Sequence, residues 1–260
     1  MHSPFEPDMI VDPDLLMRAY RSGIFPMADS RDDPEIFWVE PRRRAILPLD
    51  GFRLSRSLAR TLRRGRFTVT CNAAFPAVLD ACAQPRAESP DTWISHRIAA
   101  TYRALHAAGH AHSIECWQDG NLVGGLYGVG FDRVFCGESM FSHATDSSKV
   151  ALAWLVAALR RAGATLLDCQ FMTDHLASLG AVEIPQKRYL GLLSAAQSAV
   201  AGSAEDGAGD GEALAEGDGD GAAAALSLPE AFAALLADAA AAGCSSSPGN
   251  FIAQSLTQTS

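Results

Sequence analysis

The sequence predicts an α+β fold, and three observations carry that expectation. Strand-like segments follow one another across two tight turns between residues 112 and 141, a long apolar helix pattern runs over 147–162, and a further strand, LLDCQ, comes after it. An antiparallel run of strands, one packed helix and a returning strand belong together in an α+β arrangement rather than in a regular βαβ alternation.

The elements can be justified in order. Asp12 is placed to cap a helix with Pro13 in its first turn and Gly23 at its end. GIFPMADS reads as a turn-rich loop, and IFWVEPRRRAILPL as two short strands broken at Pro41. A helix from Ser55 is stopped by Gly65, then come a strand, RFTVT, and a helix opened by Asn72. Over 94–108, Ile94, Ile98, Tyr102 and Leu105 make a helical stripe ended by Gly109. Asp119-Gly120 marks a hairpin between HSIECWQ and NLVGGLYGVG, and a turn at Phe131-Asp132 leads into RVFCGESMF. After the 147–162 helix and LLDCQ, a short helix over 174–179 and a strand, AVEIP, are expected. Residues 201–225, rich in Gly, Ala, Asp and Glu, read as a disordered linker, 229–242 as a helix, and FIAQSLTQTS as an edge strand. This divides the chain into a small N-terminal α/β domain (1–52), a larger domain (53–198), a low-complexity segment (199–248) and a C-terminal segment (249–260).

Composition narrows the function classes. MHSPFEPDMIVDP lacks the apolar run of a secretory leader, and no apolar run is long enough to span a membrane. Six cysteines stand apart with no C-x-x-C pair, which suits reduced thiols in a cytoplasmic protein better than a disulfide framework or a zinc site. The net charge of −9 comes wholly from nine acidic residues beyond position 200; residues 1–199 hold 21 charges of each sign. Within that neutral body, residues 42–66 contain nine arginines and one acid, Asp50. Such a patch admits a polyanionic partner whatever the overall sign.

Arg56, Arg60, Arg63 and Arg64 lie at i, i+4, i+7 and i+8, on one helical face without acidic i+4 partners. A solvated basic face is the plain alternative; the forked guanidinium favours phosphate, and RNA is the better reading. In LLDCQ, alternation puts Asp168 and Gln170 on one strand face and turns Cys169 to the other. Polar groups on a core strand are costly unless used or hydrogen-bonded. With Glu138 of VFCGESMFS, whose face Met140 shares, they compose an acid–acid–amide set that can orient an amine and polarise a carbonyl without a metal. A structural hydrogen-bond network explains the same residues equally well. Cys169 reads as an inert buried thiol rather than a nucleophile with His175 as its base. His106, His110 and His112 lack the companions of a metal motif, so no metal is expected.

Taken together, GIFP, TWIS, the block from LHAAGHAHSIECW through LVGGLYGVG, FCGESMFS, DSSKVAL, LLDCQ and DHLASLGAVEIP resemble the bacterial leucyl/phenylalanyl-tRNA–protein transferase family over most of residues 12–190. The resemblance implies an N-acetyltransferase-like catalytic domain behind a small N-terminal one. It also implies transfer of Leu, Phe or Met from aminoacyl-tRNA to the α-amino group of proteins beginning with Arg or Lys, creating an N-degron. It assigns catalysis to Glu138, Asp168 and Gln170; on that assignment Asp168 is expected to hold the Gln170 side-chain amide and Glu138 an ammonium group, and because an aminoacyl ester is already activated no cofactor is expected. It assigns tRNA binding to Arg56, Arg60, Arg63 and Arg64, with Tyr20, Trp93 and Tyr102 near the terminal adenosine. Leu126, Phe135, Met140, Leu155 and Leu159 are implied around the aminoacyl side chain, a role that ordinary core packing would also explain. Met27 stands where the family pattern suggests Trp, and Thr173 where it suggests Asn. Two rival classes remain: an acyl-CoA-dependent N-acetyltransferase, whose pyrophosphate loop is only approached by Arg160-Arg161-Ala162-Gly163-Ala164-Thr165 at a helix end, and a non-catalytic RNA-binding module, which leaves Glu138, Asp168 and Gln170 unexplained.

Overall fold

The computed structural model describes residues 10–85, 91–201, 226–244 and 247–257. Helix α1 (Pro13–Arg21) is capped by Asp12, whose carboxylate accepts from the Leu15 N–H at 2.9 Å. The GIFPMADS segment is not only a loop: β1 (Phe25–Met27) pairs antiparallel with β2 (Phe37–Val39) in a small separate sheet. Strand β3 (Arg43–Ile46) follows, then α2 (Arg56–Arg63), capped by Ser55, and β4 (Thr68–Cys71). Helix α3 (Phe75–Cys82) begins later than its expected start: Asn72 is in the left-handed region and its side chain accepts from the Ser113 N–H instead of capping. Helix α4 (His96–Ala107) runs from its Ser95 cap to Gly109.

The meander is β5 (Ala111–Gln118), β6 (Asn121–Phe131) and β7 (Val134–Ser142). Asp119 and Gly120 both have positive φ, the conformation required at a two-residue hairpin turn. Helix α5 (Ser147–Arg161) crosses back to β8 (Leu166–Gln170), followed by α6 (Asp174–Ser178), β9 (Val182–Pro185) and α7 (Gln186–Ala201). Helix α8 (Leu228–Ala241) occupies its expected place. The C-terminal segment is a helix, α9 (Pro248–Ser255), not an edge strand. Pro248 opens it, and Ile252, Ala253 and Leu256 bury one helical face. Residues 202–225, expected to be a linker, lie outside the described residues.

Seven strands form the main sheet in the order β4-β5-β6-β7-β8-β3-β9. Every pairing is antiparallel except β7 with β8. β3, from within the first 52 residues, sits between β8 and β9. One apolar cluster packs α2, α5, α8 and α9 against one sheet face, and a second packs α1, α3, α4 and α7 against the other.

Two irregularities in β7 open the sheet. It pairs with β8 only from Val134↔Leu166 to Cys136↔Asp168, so the rest of both strands runs unpaired to one another. Its register against β6 also shifts between Tyr127 and Gly128, leaving Glu138 without an opposite residue, as in a β-bulge. Gly128 is required there, because a Cβ would lie 2.2 Å from the Cys136 carbonyl oxygen and 2.5 Å from the Phe135 ring. Gly128→Ala is therefore expected to destabilise the fold by about 1–3 kcal/mol, the usual cost of overpacking. Urea unfolding checks this, and an unchanged midpoint would show that the bulge is not tightly held.

Candidate active site

Where β7 and β8 part, a cleft of about 1200 Å³ opens. Glu138 and Gln170 line it, and so does an apolar wall drawn from one core cluster: Leu126, Leu152, Leu155, Leu167 and Leu176, with Met140 packed against them. Met27, Phe37, Trp93 and Phe141 line the cleft too.

Glu138 is 8 % exposed and accepts three hydrogen bonds. Oε1 takes the Tyr20 hydroxyl at 2.8 Å and the Gln170 Nε2 at 2.9 Å, and Oε2 takes the Tyr102 hydroxyl at 2.8 Å. Burial is the largest influence on this carboxyl; it outweighs the three donors and, helped by nearby Asp168, pushes the group up to about 7. Glu138 therefore changes charge close to neutral pH.

Asp168 is fully buried and held by Arg44, whose Nε and Nη2 donate to Oδ1 at 2.9 Å and Oδ2 at 2.6 Å. Tyr189 donates to Oδ2 at 3.0 Å. The Arg44 guanidinium lies between two aromatic rings, 4.7 Å from the centre of Phe25 and 4.4 Å from that of Tyr189, and also donates to the Gly23 carbonyl. Burial alone pulls Arg44 down, but Asp168 more than offsets it and the guanidinium stays charged.

Gln170 has φ +60° and Phe171 N–H donates to the Cys169 carbonyl at 2.7 Å, closing a tight turn around it. A left-handed conformation at such a side chain costs about 1–3 kcal/mol and persists only where neighbours enforce it. Two do: the Gln170 N–H donates to Asp168 Oδ1 at 2.8 Å, and its side chain donates to Glu138. The other Nε2 hydrogen and the side-chain Oε1 of Gln170 have no partner among the described residues, which leaves a donor and an acceptor for a substrate.

The expected site residues fall into three groups. Glu138, Asp168 and Gln170 converge, but Asp168 holds the backbone of Gln170 whereas Glu138 holds its side-chain amide, reversing the expected pairing. Leu126, Met140 and Leu155 line the cleft, while Phe135 and Leu159 are fully buried and absent from its lining. Trp93 lines the cleft, but Tyr20 and Tyr102 are 1 % and 0 % exposed and bonded to each other and to Glu138. They sit where no RNA base can stack on them. Cys169 is half-buried at the cleft rather than fully enclosed; burial pushes its thiol well up, against a nucleophilic role. Arg56, Arg60, Arg63 and Arg64 are exposed around a depression of about 480 Å³ with no ion pair among the described residues.

Arg44 and Tyr189 were missed in the sequence. Arg44 looked like one more member of a phosphate-facing patch. Tyr189 lies on α7, which the spacing of Tyr189, Leu193 and Ala196, all buried, would have shown. Gly163, at φ +71°, closes α5, so Arg160-Arg161-Ala162-Gly163 does not open a helix for a pyrophosphate. No group of three or more His, Cys, Asp or Glu among the described residues is arranged to hold a metal ion, and none of their helices is long and apolar enough to cross a membrane.

Comparison with known proteins places this α+β chain among the aminoacyltransferases. A model described as leucyl/phenylalanyl-tRNA protein transferase matches residues 46–194, and one for the N-terminal domain of these transferases matches residues 9–42. The chain belongs to that family. A leucyl/phenylalanyl-tRNA–protein transferase of Novosphingobium aromaticivorans is 67 % identical, covering 99 % of this chain and all of the relative. Those of Rhizorhabdus wittichii and Zymomonas mobilis are 59 % and 56 % identical; each alignment covers 76 % of this chain, with 79 % and 74 % of the respective relative.

Two predictions follow from the geometry. Arg44→Met strands a buried carboxylate and is expected to cost about 3–5 kcal/mol in denaturant unfolding; Arg44→Lys keeps the charge but loses the fork, and should fall between Met and wild type. Equal stability of all three proteins would contradict the ion pair's role. Because the folded Glu138 carboxyl is raised from 4.5 to about 7, its contribution is fully present below about 4.5 and is lost as pH rises through about 7. Wild type should thus lose on the order of 1–3 kcal/mol between pH 5 and 8 relative to Glu138→Gln. Parallel stability curves for the two proteins would rule the shift out.

Proposed function

We propose that this transferase moves Leu, Phe or Met from aminoacyl-tRNA to the α-amino group of proteins that begin with Arg or Lys, in the cytoplasm, and so marks them for N-degron proteolysis. One observation carries the reading: an amide held by a carboxylate meets an apolar wall in one cleft, whose lining among the described residues includes Asp29, Asp91, Glu138 and Asp174 but neither Lys nor Arg. The apolar wall suits a side chain unbranched at Cβ, and the carboxylates suit a cationic acceptor.

The reaction needs the acceptor amine in its neutral form. Glu138, ionised above about pH 7, takes a proton from the α-ammonium group or passes it to solvent. The freed amine attacks the ester carbonyl, a C–N bond forms, and the C–O bond to the terminal ribose breaks. The second proton lost by the nitrogen ends on the ribose oxygen. Gln170 offers its spare N–H to the carbonyl oxygen as charge develops there and its own carbonyl to the amine. An aminoacyl ester is already activated, so holding amine and ester together supplies much of the rate.

In this reading Glu138 and Gln170 meet the substrates, and Asp168 acts through the Gln170 backbone. Leu126, Met140 and Leu155 hold the aminoacyl side chain. Trp93 stacks on the terminal adenosine, and Arg56, Arg60, Arg63 and Arg64 bind tRNA phosphates.

The deciding experiment offers radiolabelled Leu-tRNA, or labelled acetyl-CoA in a parallel tube, with a peptide that begins with Arg. Label is expected to reach the peptide from tRNA alone; transfer from acetyl-CoA, or binding of tRNA without transfer, would overturn the proposal. The transfer rate should rise with pH through about 7, and Glu138→Gln should lose that inflection while keeping the one set by the acceptor amine. Met140→Trp narrows the apolar wall and should depress Phe transfer more than Leu transfer. Apolar pockets separate near-homologues by about 1–3 kcal/mol, so the difference should be roughly 10-fold or more. Equal losses for Phe and Leu would put Met140 outside the selective wall.

A further inference from the structure

We propose that α9 is a brace that holds the arginine face of α2 in its tRNA-binding form, so that donor affinity, rather than chemistry in the cleft, depends on it. The inference rests on the reading of that face as the tRNA surface.

Helix α2 has eight residues, about two turns, and a helix so short does not stand alone in water. Its apolar side must be covered. Leu58 and Leu62 are buried in one cluster with Ile252, Ala253 and Leu256 from α9 and its C-terminal end. The two backbones touch: a Cβ on Gly249 would lie 2.4 Å from the Leu62 carbonyl oxygen. Ser247, just before α9, donates to the Arg63 carbonyl at 2.9 Å, satisfying one of the free carbonyls that a helix leaves at its C-terminal end.

The brace is itself anchored. Arg160 of α5 donates through Nη1 to the Ser255 carbonyl at 3.3 Å and through Nε to the Leu49 carbonyl at 2.7 Å, tying the end of α9 to the body. Thr257 completes the rim of the depression that Arg56, Arg60, Arg63 and Arg64 surround. Residues 247–257 carry no charge, so α9 supports the arginines without neutralising them. The main family model ends at residue 194, well before this element.

The test uses the full chain carrying Gly249→Val, with Arg60→Ala/Arg64→Ala as the reference for a damaged arginine face. Binding of Leu-tRNA is measured across a salt series, and transfer to an Arg-starting peptide is measured from Leu-tRNA and from a leucyl-adenosine ester that is too small to reach α2. Gly249→Val is expected to weaken Leu-tRNA binding about 10-fold and to reduce the slope of log Kd against log salt by about 1–2, one unit per lost phosphate contact. Transfer from the leucyl-adenosine ester should stay within about twofold, and hydrogen exchange should show lost protection at Leu58–Arg64. Unchanged affinity and slope would overturn the proposal. So would equal losses with both donors, which would make α9 a support of the whole fold. Should the Val variant not fold, Gly249→Ala and Ser247→Ala give the same readouts in milder form. Failure of wild type to transfer leucine from either donor would sink the enzyme reading, while the tRNA-binding arm would still judge the brace.

Discussion

The buried ion pair between Arg44 and Asp168 is the constraint on which the site depends. Neither group could be buried alone, since an isolated charge in the interior costs several kcal/mol or more. Together they join β3 to β8, and through the Gly23 carbonyl, Phe25 and Tyr189 they draw in the β1 region and α7. The remaining capacity of Asp168 goes to the backbone N–H of Gln170. That bond holds a left-handed turn which the strand would otherwise not adopt, and the turn sends the Gln170 side chain toward Glu138. Arg44 therefore acts through its neighbours: it does not line the cleft but, by way of Asp168, fixes Gln170, which does.

Glu138 is governed by the opposite balance. Two tyrosines and an amide donate to it, yet burial still wins and its proton is held to about pH 7. A fold built only for stability would place an apolar side chain there, since burying an ionisable group gains little. What the arrangement provides instead is a carboxyl that changes charge where amines also begin to lose their protons, beside an amide with one donor unused among the described residues. The β-bulge at Glu138 and the parting of β7 from β8 bring that polar pair and the apolar wall into one cleft, although they arise from opposite sheet faces.

Much of this was legible in the sequence where a local rule governs the outcome. The Asp119-Gly120 hairpin, the Asp12 cap and the glycine stops after α4 and α5 follow from turn and capping chemistry. Alternation paired Asp168 with Gln170, and the two do meet, through the Gln170 N–H; motif resemblance named the three polar residues that converge. What the sequence could not show was pairing at a distance. Which carboxylate holds the Gln170 amide depends on a turn of positive φ that strand alternation does not anticipate. The resemblance set Tyr20 and Tyr102 near the terminal adenosine, whereas α1 and α4 bury both of them against Glu138. Phe135 and Leu159 share the composition of a pocket wall but stand behind it. The tail FIAQSLTQTS is short enough to read as either strand or helix, and the cover it gives to α2 decides the matter.

The most direct test of the central claim is a crystal structure of the protein with a leucyl-adenosine analogue in which an amide replaces the ester. The account predicts the analogue's carbonyl oxygen within hydrogen-bond distance of Gln170 Nε2 and its leucyl side chain against Leu126, Met140 and Leu155, with Glu138 still holding the Gln170 amide. An analogue bound with its carbonyl away from Gln170, or with its side chain outside that wall, would contradict it.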